Sequence, residues 1–249
     1  MTAIQTLLWI VLPYVCVVAF AVGMVWRYRY DKYGWTTRSS QMYESRLLRI
    51  GSPLFHFGIL IALGGHVIGL LIPEGWTSAV GISEQLYHVV AVTFGVIAAV
   101  MVVAGLTILI YRRRTVGRVF TVTTRMDKLM YVMLGAVVLL GAFNTVAINL
   151  LNITGAYPGG YNYRETVSVW FRSLFVFNPD AIGMTEAPPS FQLHAVVAMF
   201  LFAIIPFTRL VHIFSAPVGY LSRPYLIYRS RDPQNSAQAP RRGWERIGS

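Results

Sequence analysis

Five stretches of about 20 apolar residues dominate the chain, each long enough to cross about 30 Å of hydrocarbon as a helix rising 1.5 Å per residue. They lie near residues 5–25, 53–72, 88–111, 129–151 and 191–213 of 249. Lipid offers the backbone no hydrogen bonds, so a spanning segment must be a helix or part of a closed barrel. The runs lack the alternation of barrel strands, which leaves helices. With 55% hydrophobic and 12% charged residues and a mean hydropathy of +0.56, the composition excludes an ordinary soluble domain. The chain therefore reads as an all-α integral membrane protein: a five-transmembrane-helix bundle within residues 1–229, then a polar cytoplasmic tail over 230–249. The first run has no Lys or Arg before Arg27, so it lacks the basic region of a signal peptide and reads as a span.

Charge gives an orientation. Eighteen of the 21 basic residues lie in three places: between the first and second runs, between the third and fourth, and after the fifth. The segment joining the second and third runs has none. By the positive-inside rule the N-terminus is outside and the C-terminus cytoplasmic. The net charge of +11 then answers to topology and anionic lipid, not to nucleic acid.

Four of the five histidines fall in two of the runs, His56 and His66 in the second and His194 and His212 in the fifth, while His88 begins the third. The two spans travel in opposite directions, so His56 is level with His212 near the inner surface and His66 with His194 near the outer one. Ionisable side chains at these depths mark ion paths, proton relays or cofactors. Neutral imidazole ligates iron, and two imidazoles across a porphyrin fill both axial positions. This pattern reads as two haems b. Hydrogen bonding across helices and a haem-free anchor or proton relay remain open.

Spacing adds a constraint. His194 and His212 are 18 residues apart, five turns and about 27 Å, whereas His56 and His66 are separated by only about 15 Å and about 80° of rotation. Tilt, oblique porphyrins or a kink at Pro206 would reconcile the two. Gly58, Gly64, Gly65 and Gly69 on the second span admit either a close macrocycle or ordinary helix packing. The single cysteine, Cys16, rules out covalent c-type haem, an iron–sulfur cluster and a disulfide within the chain.

Three stretches carry a resemblance: "WRYRYDKYGWTTRSSQM", "LFHFGILIALGGHVIGLLIP" and "LHAVVAMFLFAIIPFTRLVHIFSAPVGYLSRPY". Together they are similar to the membrane gamma subunit of respiratory nitrate reductase, a dihaem cytochrome b of the bacterial cytoplasmic membrane that anchors a cytoplasmic catalytic dimer. The resemblance implies His56 and His212 as ligands of the inner haem and His66 and His194 as ligands of the outer one. It implies quinol oxidation near the outer haem, with electrons passing to an iron–sulfur beta subunit and then to a molybdenum alpha subunit that reduces nitrate to nitrite. The same histidines would serve a dihaem cytochrome b feeding another soluble reductase.

Gly65, His66, Tyr87 and His88 are the quinol-binding candidates, His88 as a proton acceptor. Well-studied members of the family place a lysine in this region, whereas Pro73 to Leu86 here contains no Lys or Arg. Arg112, Arg113 and Arg114 offer guanidinium forks to haem propionates or to a docking subunit, or simply stop the third span. Between Thr154 and Ser190, "VSVWFRSLFVF" is amphipathic enough for an interfacial or re-entrant helix.

Overall fold

A computed structural model describes residues 1–35, 40–157 and 159–215. The polar tail expected from Ser230 lies outside the described residues. Five helices are long and apolar enough to cross a membrane: Ala3–Tyr30, Arg46–Leu71, Glu84–Thr115, Arg125–Leu150 and Pro189–Phe207. No strand occurs among the described residues. Each helix overlaps one of the five apolar runs.

Local sequence sets several helix starts. Thr2 with Gln5, and Thr124 with Asp127, form reciprocal capping boxes, and Ser83 accepts from the Leu86 amide, satisfying N–H groups that a first turn leaves open. The second and third spans form the most extensive packed pair. A Cβ at Gly105 would stand 2.5 Å from the Phe55 amide nitrogen, and one at Gly58 2.8 Å from Met101 and Val102. Absent side chains there let the two backbones meet, as small residues do between membrane helices. Val17, Val22, Leu60, Leu63, Val132 and Leu139 face outward and exposed, as lipid-facing residues should.

The bundle has two unlike ends. At the end carrying His66, three spans widen into π-helix, at Leu7–Val11, Val67–Leu71 and Asn144–Leu150. The segment between the fourth and fifth spans packs over them through the expected short helix, Val167–Phe175. A buried cluster of Trp9, Ile148, Tyr161, Trp170, Ala181, Met184 and Ala187 joins the segment to the spans. Trp170 donates to the Trp9 carbonyl, Ser168 to that of Gly69 and Arg172 to that of Leu70.

At the end carrying His56, buried guanidinium groups join the elements. Arg27 pairs with Asp31 and donates to the Pro206 carbonyl. Arg112 donates to Glu44 and to both oxygens of Ser40. Arg209 forms a two-point fork with Asp127. The fifth span departs here from the continuous helix expected to residue 213. Its α-helix stops at Ile204, a 3₁₀ turn holds Pro206, Thr208 is extended, and a second 3₁₀ stretch carries Arg209–Ser215. Proline lacks the N–H that an α-helix needs at that position, so the break falls at Pro206.

Candidate functional site

Two histidine pairs face each other across the second and fifth spans. The ring centroids of His56 and His212 are 6.3 Å apart, and those of His66 and His194 6.2 Å. These are the pairs expected from reading the two spans level by level. His212 belongs to the 3₁₀ stretch beyond the break at Pro206, so the five-turn count from His194 does not apply.

Hydrogen bonds fix the tautomer of three rings. Nδ1 of His56 lies 2.7 Å from the Ser52 carbonyl, Nδ1 of His66 2.7 Å from that of Ala62, and Nδ1 of His212 2.6 Å from that of Arg209. A carbonyl oxygen only accepts, so each Nδ1 carries the proton and Nε2 keeps its lone pair. Metal-ligating histidines are held in this way by a second hydrogen bond. The fourth ring, His194, has a buried Nδ1 without a hydrogen-bond partner of ordinary geometry. It packs instead on Gly141, where a Cβ would stand 3.1 Å from its Cε1.

The gaps suit one metal atom each. An imidazole nitrogen sits about 2.0–2.1 Å from a first-row metal and roughly 1.1 Å from its own ring centre, so two axial imidazoles place their centroids about 6.3 Å apart. No group of three or more His, Cys, Asp or Glu able to hold a metal occurs among the described residues. Each pair supplies two nitrogens, the number wanted by a metal whose other four positions come from a macrocycle. Room for a flat ring is present beside His66, where a Cβ on Gly64 or Gly65 would meet nothing within 4 Å. Gly58 and Gly69 serve packing instead, Gly58 against the third span and Gly69 under the Tyr87 and Tyr163 hydroxyls.

The four quinol candidates do not line one cavity. Gly65 and His66 lie together on the second span, on the side of His194. The Tyr87 hydroxyl is 2.9 Å from that of Tyr163, and the Arg164 guanidinium lies 4.0 Å from the Tyr87 ring centre. Burial, with Tyr87 beside it, pushes the Tyr163 phenol above its ordinary range, so it remains a proton donor. His88 lines a cleft of about 570 Å³ with Glu84, Gln85, Asn149, Asn152 and Asn162. Its ring presses on Gly160, whose φ of +96° suits a residue without Cβ.

The arginine cluster also divides. Arg112 is spent on Ser40 and Glu44. Arg113 donates to Thr123 and lies over Tyr131. Arg114 is exposed, near Phe120, and is the member of the three open to a partner. Sequence reasoning missed Asp127, Arg164 and Arg209 as organising residues. Their signal was a charge within or beside an apolar span, which by default needs a partner.

Comparison with known proteins places this geometry. The family described as "Nitrate reductase gamma subunit" matches residues 5–231. The chain is 57% identical over 238 residues to the nitrate reductase-like protein NarX of Mycobacterium tuberculosis, a match covering 96% of this chain and 36% of that protein. It is 42% identical over 225 residues to the nitrate reductase gamma chain of Bacillus subtilis, covering 90% and 98% respectively. To the respiratory nitrate reductase 2 gamma chain of Escherichia coli it is 36% identical over 220 residues, covering 88% and 94%. The chain thus spans about a third of the length of its NarX relatives and nearly all of the gamma chains.

Proposed function

The chain belongs to the nitrate reductase gamma subunit family, a multi-pass bacterial membrane protein, and from that premise we propose that it is a dihaem cytochrome b subunit oxidising membrane quinol for a nitrate-reducing complex. The observation that carries the reading is the pairing of four histidines at 6.3 and 6.2 Å. His56 and His212 hold one haem b, His66 and His194 the other. A bis-imidazole haem supplies one-electron transfer without an open coordination site.

The residues define the rest. Carbonyls of Ser52, Ala62 and Arg209 accept from Nδ1 of three of these histidines, so in the neutral ring Nε2 is the nitrogen left to ligate. With the N-terminus outside and the C-terminus cytoplasmic, the His66 end is the outer one. Quinol is then oxidised beside Gly65 and His66, with Tyr87 nearby and His88 in the open cleft as the acceptor of its protons on the outer side. Arg114 belongs to the cytoplasmic face that docks the iron–sulfur beta subunit of an alpha–beta pair. Residues 1–229 form the membrane domain, and 230–249 a polar tail along the partners.

A reduced-minus-oxidised spectrum with a pyridine haemochrome assay on the purified chain tests this. Two haems b per chain are expected, one lost in His56→Ala or His212→Ala and the other in His66→Ala or His194→Ala. A folded chain with no Soret band sinks the reading and turns it toward an anchor or proton pathway. Two haems without quinol:nitrate activity in the assembled complex would assign the wire to a different reductase.

A further inference from the structure

The four rings differ in what aims them. His56 and His66 point Nδ1 at carbonyls one turn back in the same α-helix, so the helix itself sets their direction. His212 is not in an α-helix. It stands beyond the extended Thr208 on a 3₁₀ stretch, and short 3₁₀ pieces have poorer hydrogen-bond geometry than α-helix. Its Nδ1 acceptor is the Arg209 carbonyl, three residues back.

Arg209 is clamped from another span. Its Nε and Nη2 donate to the two carboxylate oxygens of Asp127 at 2.9 and 2.8 Å, and the two side chains are 13% and 3% exposed. Asp127 is fixed in turn at the start of the fourth span, where its carboxylate accepts from the Thr124 amide and its own amide donates to the Thr124 hydroxyl. A two-point arginine–carboxylate fork fixes orientation as well as distance. Thr124, Asp127, Arg209 and His212 therefore form one chain of contacts, from a helix cap to an imidazole facing His56.

We propose that Asp127 is a positioning residue for His212, acting through Arg209 to set the direction in which Nε2 faces His56. The proposal rests on the dihaem reading for its electronic consequence but not for its geometry. It explains how a ligand held outside regular helix keeps the same pair separation as the ligands inside it. The fork is needed here because Pro206 has removed the helix that would otherwise aim the ring.

The test uses the full chain in lipid, comparing wild type with Asp127→Asn, Asp127→Glu and Arg209→Lys. Redox titration and low-spin EPR follow the two haem components, and solid-state NMR of the chain labelled with ¹⁵N-histidine follows the five imidazoles. In Asp127→Asn the component that His212→Ala abolishes is expected to shift in midpoint and EPR position, while the other stays put. The His212 resonance should change from a single Nδ1–H tautomer to a mixture, with partial recovery in Asp127→Glu. If folded Asp127→Asn leaves both components and all imidazole signals unchanged, or moves both components together, the positioning role is overturned. Should Asp127→Asn fail to fold, Arg209→Lys keeps the charge and removes the fork, and the same readouts decide. A wild type without haem would end the dihaem reading, and the NMR signal alone would then decide the positioning role.

Discussion

The two ends of the bundle solve one problem, holding a pair of histidines level across two spans, with different materials. The His66 end uses aromatic packing and backbone carbonyls of the first two spans, which accept from Trp170, Ser168 and Arg172. The His56 end uses buried guanidinium groups: Arg27, Arg112 and Arg209 each tie two elements. Aromatic contacts are broad and tolerate small displacements, whereas an ion fork fixes direction. The ionic end is also the one where the fifth span is broken and a ring needs aiming from elsewhere.

Substitutions that act at one end only would sharpen this contrast. The largest effect should come from Arg164→Ala, because Arg164 is the one ion-paired arginine of the His66 end among the described residues, with a side chain 1% exposed and paired to Glu84 at 2.8 Å. Glu84 is itself 34% exposed, so the loss comes mainly from the buried hydrogen bonds of Arg164 to Thr77 and the Ile72 carbonyl and is about 2–3 kcal/mol. Thermal unfolding in detergent should show that loss, together with a change confined to the His66–His194 spectral component. An equal change at both components would break the two-end picture.

Next comes Gly141→Leu. A Cβ alone would stand 3.1 Å from the His194 ring, and overpacking of this kind costs about 1–3 kcal/mol. The variant should perturb the His66–His194 component and leave the other intact. Trp170→Phe keeps an aromatic six-membered ring but removes the pyrrole half of the buried indole with the N–H donated to the Trp9 carbonyl at 2.8 Å, for a loss of about 2 kcal/mol from hydrogen bond and cavity together.

The smallest effect is one of pH, at the other end. Burial opposes ionisation of Glu44, but the Leu47 amide and the Arg112 guanidinium outweigh it and hold the carboxyl below its ordinary value of 4.5. A carboxyl depressed in the folded state adds stability that is fully present above the unfolded value and is lost as pH falls through the folded one. Unfolding midpoints of the wild type should therefore fall more steeply in acid than those of Glu44→Gln. Parallel curves would remove Glu44 from the clamp at the His56 end.

The spans and the levels of the histidines were legible in the sequence, since hydropathy and helix length are sums over neighbouring residues. Pro206 was visible as a kink, but not the 3₁₀ stretch that follows it, because that depends on what the fourth span offers to Arg209. The ion pairs were illegible for the same reason. Glu44 and Arg112 are 68 residues apart, Glu84 and Arg164 80, and Asp127 and Arg209 82. Only the fold tells a topology-marking arginine from a buried clamp, and Arg112 turned out to be spent inside the protein. The tautomers were not legible either: His56 and His66 each bond a carbonyl one turn back, whereas His194, also in an α-helix, does not.

The π-helical turns at the His66 end carry a consequence for biogenesis. The Trp9, Gly69 and Leu70 carbonyls in these turns belong to the first two spans, and Pro13 and Pro73 have no N–H to offer the first two of them, while the Trp170, Ser168 and Arg172 donors that answer them lie after the fourth span. Until that segment has been made and has docked, the early spans keep polar groups in search of partners. The segment before the fifth span thus supplies, late in the chain, the donors that the first two spans accept.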